Sequence, residues 1–249
     1  MAVDLVLLLA LGVFLLAGTV KGVIGLGLPT VAMGLLALVM PPAEAAALLV
    51  VPSLVTNLMQ LRPWSALPAM LRRLGGMQAG VCAGTLVGAW GLGAPAGEWA
   101  GVALGGALVA YAIWGLSGAR LSMPAAAEAW AGPLVGALTG LVTAATGVFV
   151  LPAVPYLQAL GLQRDELVQA MGVSFTVSTL ALAVGLSAQG AYSMSTAALS
   201  SAMLVPALAG MALGRWLRCR LSPALFKTFF FVGLALLGAH MVVRGLWFS

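Results

Sequence analysis

The chain has 249 residues, of which 62% are hydrophobic and only 7% charged, with a mean hydropathy of +1.12 and a formal net charge of +5. Soluble domains carry roughly a quarter charged residues, so this composition excludes a water-facing globular protein. The basic residues sit singly between apolar runs, which excludes a nucleic-acid surface, and the runs far exceed the roughly ten residues of a membrane barrel strand.

The reading is therefore an all-α polytopic membrane protein. The first apolar run carries Asp4 where a signal peptide would carry positive charge, so it is read as a span. Ten apolar segments follow in order, at 4–21, 26–40, 43–61, 70–92, 99–118, 129–146, 148–160, 166–187, 194–214 and 223–243, with boundaries good to ~4 residues. The second and seventh are short, and each follows a glycine-containing break. Interrupted segments at matching places in two halves are a sequence pointer to a transporter site.

The halves, 1–122 and 123–249, match in order. Gly18-Thr19-Val20-Lys21-Gly22 aligns with Gly136-Ala137-Leu138-Thr139-Gly140, Pro29 with Pro152, and Ala43-Glu44 with Asp165-Glu166. The second half has five extra residues between Gly140 and Pro152. If all ten segments cross, Lys21, Arg62, Arg72, Arg73, Arg120, Arg164, Arg215, Arg218, Arg220 and Lys227 share one side and Arg244 lies on the other. The positive-inside rule makes the first side cytoplasmic and places both termini outside. Five crossings per half invert one half relative to the other. A competing arrangement makes segments two and seven re-entrant hairpins, with eight crossings and parallel halves.

Glycines four apart suit close helix packing in lipid. They occur as Gly80, Gly84 and Gly88, as Gly101 and Gly105, and as Gly132, Gly136 and Gly140. For segments four and five, static packing is preferred over a sliding surface. Cys82 and Cys219 lie far apart without metal-ligand spacing and are read as structural. Trp64, Trp99, Trp130 and Trp247 fall near segment ends, as an aromatic belt would. His240 is the only histidine, which excludes HExxH chemistry, and no GxSxG, GxxxxGK[ST] or CxxC motif is present. No catalytic residue, metal site or cofactor is expected.

Chemistry must reside in polar groups within the apolar runs. Lys21 stands out, because an unpaired lysine in the bilayer core costs roughly 2.5–3.5 kcal/mol on insertion scales. Two readings stand side by side: an anion pairs with it, or it snorkels to the cytoplasmic interface. Gly22, Gly25 and Gly27 would let backbone N–H groups approach a ligand, and the break before Pro29 would expose the N-terminus of segment two, which suits an anion. Thr139, Thr143, Thr146 and Gly147 occupy the equivalent zone of the second half, although membrane threonines commonly bond their own backbone. Ser53, Thr56 and Asn57 share one helical face, as do Ser174 and Ser178, and these supply neutral donors. Pro52 is expected to kink segment three. Gln60 and Gln169 are weaker candidates. Glu44 and Glu166 read as helix N-terminal charges, with proton coupling as the alternative.

The motifs Gly18-x-x-Lys21-Gly22-x-x-Gly25-x-Gly27-x-Pro29 and Gly136-x-x-x-Gly140…Gly147-x-x-x-x-Pro152 resemble the TauE/SafE family of sulfite exporters. So does the acidic residue plus Ser/Thr-rich helix after each proline. The resemblance covers essentially the whole chain. The first loop is short, and Ala144-Ala145-Thr146 stands where a glycine run is usual. The resemblance implies a bacterial inner-membrane transporter of a small anion, an oxidised sulfur compound such as sulfite, a sulfonate such as sulfoacetate, or thiosulfate. The anion would be held near Lys21 and the two helix breaks and carried by alternating access. A proton or sodium ion could couple the movement, and a homodimer is left open. A passive anion channel and a non-transporting membrane scaffold are the alternatives.

Overall fold

The structure is a computed structural model. It describes residues 2–93, 95, 98–119 and 121–247, without the side chains of residues 2–4, 98 and 223. Arg120, one of the charges used to orient the chain, lies outside the described residues. Among the described residues ten helices follow in order: α1 (Ala2–Ile24), α2 (Leu28–Leu36), α3 (Pro42–Leu58), α4 (Leu67–Leu92), α5 (Glu98–Ser117), α6 (Ala125–Thr146), α7 (Ala153–Ala159), α8 (Arg164–Ala188), α9 (Met194–Arg218) and α10 (Pro223–Trp247). Six of them, α1, α5, α6, α8, α9 and α10, are long and apolar enough to cross a membrane. Leu8, Val87, Phe229 and Leu236 stand exposed on the outer surface, where lipid replaces water as their solvent.

Helix ends follow local chemistry. α1 stops at Gly25 (φ 79) and α2 starts behind Gly27 (φ 103), both in backbone conformations that favour glycine. α6 stops at Gly147 (φ 70), whose N–H donates to the Thr143 carbonyl at 2.8 Å. The Gln163 N–H donates to Glu166 Oε2 at 2.8 Å and closes a capping box at the start of α8. Glu166 thus serves its helix terminus.

At 1.5 Å per residue, α2 and α7 are only about 14 and 10 Å long. The chain nevertheless returns the full depth at both places. Met40 and Glu44, just beyond α2, share a groove with Val6, Leu7 and Ala10 at the start of α1. The Met123 N–H donates to the Ala159 carbonyl at 2.8 Å, which ties the end of α7 to the start of α6. Segments two and seven therefore end beside the starts of α1 and α6, the course that the crossing arrangement expects. Segment seven is a helix over Ala153–Ala159 only. Residues 147–152 precede it as a non-helical run in which Gly147, Val148, Phe149 and Val150 are buried. Buried backbone of this kind survives at membrane depth because protein, not lipid, surrounds it.

Two helix crossings dominate the packing, α1 on α9 and α4 on α6. Their details coincide. A Cβ at Gly18 would overlap the Ala207 carbonyl, one at Gly22 the Met211 carbonyl, one at Gly210 the Leu15 carbonyl and one at Gly214 the Thr19 carbonyl. In the other crossing the matching overlaps are Gly136 with Met77, Gly140 with Val81, Gly80 with Pro133 and Gly84 with Ala137. Each helix thus presents glycines four apart to its partner, and both pairs run parallel. Further packing follows the same pattern: α3 on α9 and α8 on α4, α2 on α1 and α7 on α6, with α3 on α8 and an extensive α5 on α10 contact pairing helices that hold equal places in the two halves.

One end of the bundle gathers the basic residues. There the Arg73 guanidinium donates to both Glu128 oxygens, at 2.9 and 2.7 Å, and to the Leu160 carbonyl at 3.2 Å. Arg164 and Lys227 line one cavity at this end with Ile24 and Leu26. α1 runs toward this basic end and α6 runs away from it.

The crossings predict an asymmetric response to added bulk. Gly136→Val and Gly18→Val should each lower stability by about 1–3 kcal/mol through overpacking. Gly101→Ala, whose Cβ would meet open space, should leave it unchanged. Thermal unfolding of the purified protein checks this.

Candidate functional site

α3 and α8 cross antiparallel in the middle of the bundle, and their facing side chains are polar. Ser53, Thr56 and Asn57 on α3 are buried, as are Ser174, Ser178 and Thr179 on α8. Asn57 Nδ2 donates to Thr179 Oγ1 at 3.5 Å. Thr56 and Thr179 spend their own protons within their helices, on the Pro52 carbonyl at 2.7 Å and the Phe175 carbonyl at 2.6 Å. Their oxygens remain free to accept. Among the described residues the Ser53 and Ser178 hydroxyls have no partner. A buried polar group left unpaired costs about 1–3 kcal/mol, so both positions ask for water or a ligand.

Pro52 stands inside α3. It has no N–H to give the Leu48 carbonyl. Ser200 of α9 repairs the gap: its hydroxyl donates to the Leu48 carbonyl at 2.8 Å and accepts from the Val51 N–H at 3.0 Å. This repair anchors α3 to α9 just above the polar cluster. On the other side of the crossing, Gln78 of α4 donates to Ser174 of α8 at 2.9 Å.

Lys21 enters the cluster from α1. It lies in the last turn of that helix and is 3% exposed. Its Nζ donates to Thr56 Oγ1 at 3.0 Å and to Asn57 Oδ1 at 2.5 Å. Side chains on a helix tilt toward its N-terminus. For α1 that direction leads away from the basic end and into the bundle. Lys21 therefore does not snorkel; it reaches inward. Both partners are neutral, and among the described residues no carboxylate pairs with it. An ammonium offers three donors, and one is left for a further acceptor.

The remaining sequence candidates fall elsewhere. Gly22 lies within α1 and faces Met211 and Gly214 of α9, so packing accounts for it. The break begins only at Gly25, whose carbonyl accepts from Gln60 Nε2 at 2.9 Å. Gly27 accepts from the Thr30 hydroxyl at 3.1 Å, and Pro29 sits in the first turn of α2. Gln169 Nε2 donates to the Leu61 and Pro63 carbonyls at 2.6 and 2.8 Å and clamps the loop after α3. Thr143 bonds the Thr139 carbonyl, and Thr146 bonds the Val142 carbonyl and the Val148 N–H. Gly147 packs against Met33 of α2 and Ala46 of α3.

These placements separate the two breaks. The first lies beside Gln60, at the end of α3, and the second beside Ala46, at its start. Along α3 that is about 20 Å. The expectation that the breaks meet and jointly surround a ligand gives way: the polar centre is the α3–α8 crossing, with Lys21 beside it. α7, with seven residues, carries too short a helix for a strong N-terminal dipole. Thr179, Gln78 and Ser200 belong to the centre or its support and were not singled out as candidates. The signal available for Ser200 was Pro52, which leaves a carbonyl that some neighbour must serve.

An all-helical bundle with six helices long and apolar enough to cross a membrane defines a multi-pass membrane protein. The chain belongs to the family described as sulfite exporter TauE/SafE, whose family model matches residues 10–241. It is a family of membrane transporters of sulfur anions, not a family of enzymes. Comparison with the curated proteins and with the solved structures gives no match.

The geometry predicts a coupling between Lys21 and Asn57. Asn57→Leu should cost about 1.5–3 kcal/mol, because it strips a hydrogen bond from a buried charge. Adding Lys21→Met should recover most of that loss. A double-mutant cycle on thermal unfolding measures the coupling.

Proposed function

We propose that this protein is a secondary transporter of a small anion, an oxidised sulfur compound such as sulfite, a sulfonate or thiosulfate. Lys21 and the α3–α8 crossing form its binding centre. The observation that carries the reading is the Lys21 ammonium, buried against two neutral partners with a donor to spare. A charge of that kind is costly to hold in lipid and is best explained by an intermittent counter-charge. The unpartnered hydroxyls of Ser53 and Ser178 complete the shell.

The two halves, 1–122 and 123–249, act as inverted repeats in this reading. The matched glycine crossings support it, as does the opposite course of α1 and α6. Each tightly packed pair joins one helix from each half, α1 with α9 and α4 with α6, and rocking of one pair against the other about the α3–α8 crossing alternates access. The sealed position of Lys21 favours this over an open channel. The basic end faces the cytoplasm of a bacterial inner membrane by the positive-inside rule, which leaves both termini in the periplasm. No nucleotide motif is present in the sequence, so a gradient of proton, sodium or the substrate itself drives transport.

Anion uptake into proteoliposomes tests the proposal. Lys21→Ala should weaken anion binding about 10- to 100-fold, the equivalent of one lost charged hydrogen bond, and abolish uptake. Lys21→Arg should keep part of both. Titration calorimetry over sulfite, thiosulfate, sulfoacetate and simple carboxylates ranks the substrates. Undiminished uptake by the alanine variant removes Lys21 from the site.

A further inference from the structure

The cavity at the basic end is distinct from the Lys21 centre. It has a volume of about 720 Å³ and lies between the ends of α1, α5 and α7 and the starts of α8 and α10. That is the size of a pocket for an organic molecule, not for a bare inorganic ion. Among the described residues its charged groups are Arg164 and Lys227, both exposed at the mouth, and no Asp or Glu lines it. Neighbouring Glu166 is occupied with the α8 cap. Asp165 is not among the lining residues.

Deeper in, Tyr111 is 1% exposed, and among the described residues its hydroxyl has no hydrogen-bond partner. A phenol that lines a cavity with a proton unspent is a donor waiting for an acceptor. Gln158 uses its Oε1 to accept from Trp114 Nε1 at 3.3 Å, so its amide N–H groups remain available. The walls are apolar and aromatic. Phe231 packs edge-on against Tyr111 at 5.1 Å and lies 5.7 Å beneath the Lys227 ammonium. The side-chain groups free to bind, the Arg164 and Lys227 cations, the Tyr111 hydroxyl and the Gln158 amide N–H groups, are thus cations or donors, set among aromatic and aliphatic side chains.

We propose that this cavity is a second anion site, and that it takes a water-borne organic anion with a compact apolar body. The anionic head is met by Arg164 and Lys227, the body lies against Trp114 and Phe231, and a second acceptor on the ligand reaches Tyr111. The site collects the ligand from the basic side. Ile24, one turn beyond Lys21, forms part of its wall, so an anion held here stands next to the helix that carries the buried lysine. The proposal does not require Lys21 to be the transport centre.

Benzenesulfonate is a suitable probe, because it joins one anionic head to a compact apolar body. Its binding is measured by calorimetry on the full chain in nanodiscs of zwitterionic lipid, with benzyl alcohol as the neutral control. Arg164→Gln and Lys227→Gln lie at exposed positions and should each weaken binding about tenfold, or 1.4 kcal/mol. Tyr111→Phe should weaken it too, the Lys21→Ala background should keep a binding event that Arg164→Gln and Lys227→Gln weaken, and benzyl alcohol should not bind. Three results would overturn the proposal. One is full affinity in the double Gln variant or equal affinity for benzyl alcohol. Another is loss of binding in Lys21→Ala with retention in the double Gln variant, which places the probe at the other centre. The third is loss of binding in nanodiscs rich in anionic lipid, which assigns the cavity to a lipid headgroup.

Discussion

Helices in lipid gain nothing by hiding apolar surface from one another, because the tails around them are equally apolar. Their association rests on close packing, and here it rests on glycine. α1 and α9 meet through Gly18, Gly22, Gly210 and Gly214, and α4 and α6 through Gly80, Gly84, Gly136 and Gly140. With glycine on both sides of each crossing, backbone touches backbone. Such an interface holds its two backbones at van der Waals distance and tolerates little added bulk. The interface between the pairs differs in kind. The α3–α8 crossing is polar, and two of its hydroxyls are unmatched. Rigidity and adjustability are therefore assigned to different crossings.

This division explains how α1 can carry a buried charge. Gly18 and Gly22 turn toward α9 and fix the helix, while Lys21 looks toward α3. The packing face and the chemical face are separate. The counterpart of Lys21 in α6 is Thr139, which donates to the Val135 carbonyl of its own helix at 2.8 Å. The same crossing is thus built twice, once with a cation beside it and once without.

Much of the fold was legible because membrane helices announce themselves by length and apolarity. All ten segments exist, and most ends fall within a few residues of those read from the pattern. Segment seven was drawn too long as a helix, since Val148–Val150 are as apolar as a helix interior. Only burial, invisible to hydropathy, lets them run without helical bonds. The polar groups of the site were legible as residue types at membrane depth. Their assembly was not. Gly22, beside Lys21, reads from the sequence as backbone open to a ligand, whereas with Gly18 it has the spacing that serves helix contact, matched by Gly210 and Gly214 on α9. Which helix faces which is a property of the packed bundle. The breaks looked like partners because they occupy equal places in the two halves. In the bundle Gly25 lies beside Gln60 after α3 and Gly147 beside Ala46 near its start, so equal places in the sequence are far apart in space.

One cation in a duplicated frame also sets the electrostatics of any guest. On the proposed reading, a singly charged anion beside Lys21 leaves the centre neutral. A doubly charged one leaves a net negative charge in a region of low dielectric, where an unpaired ion costs several kcal/mol. The neutral donors around it, Asn57 and the serine hydroxyls, soften that penalty without removing it. Two physical remedies exist: the guest enters with a proton of its own, or a small cation enters with it. Either remedy ties anion movement to the movement of a positive charge. Coupling then needs no separate machine, because it follows from a single lysine facing a crossing that has no second charge to offer.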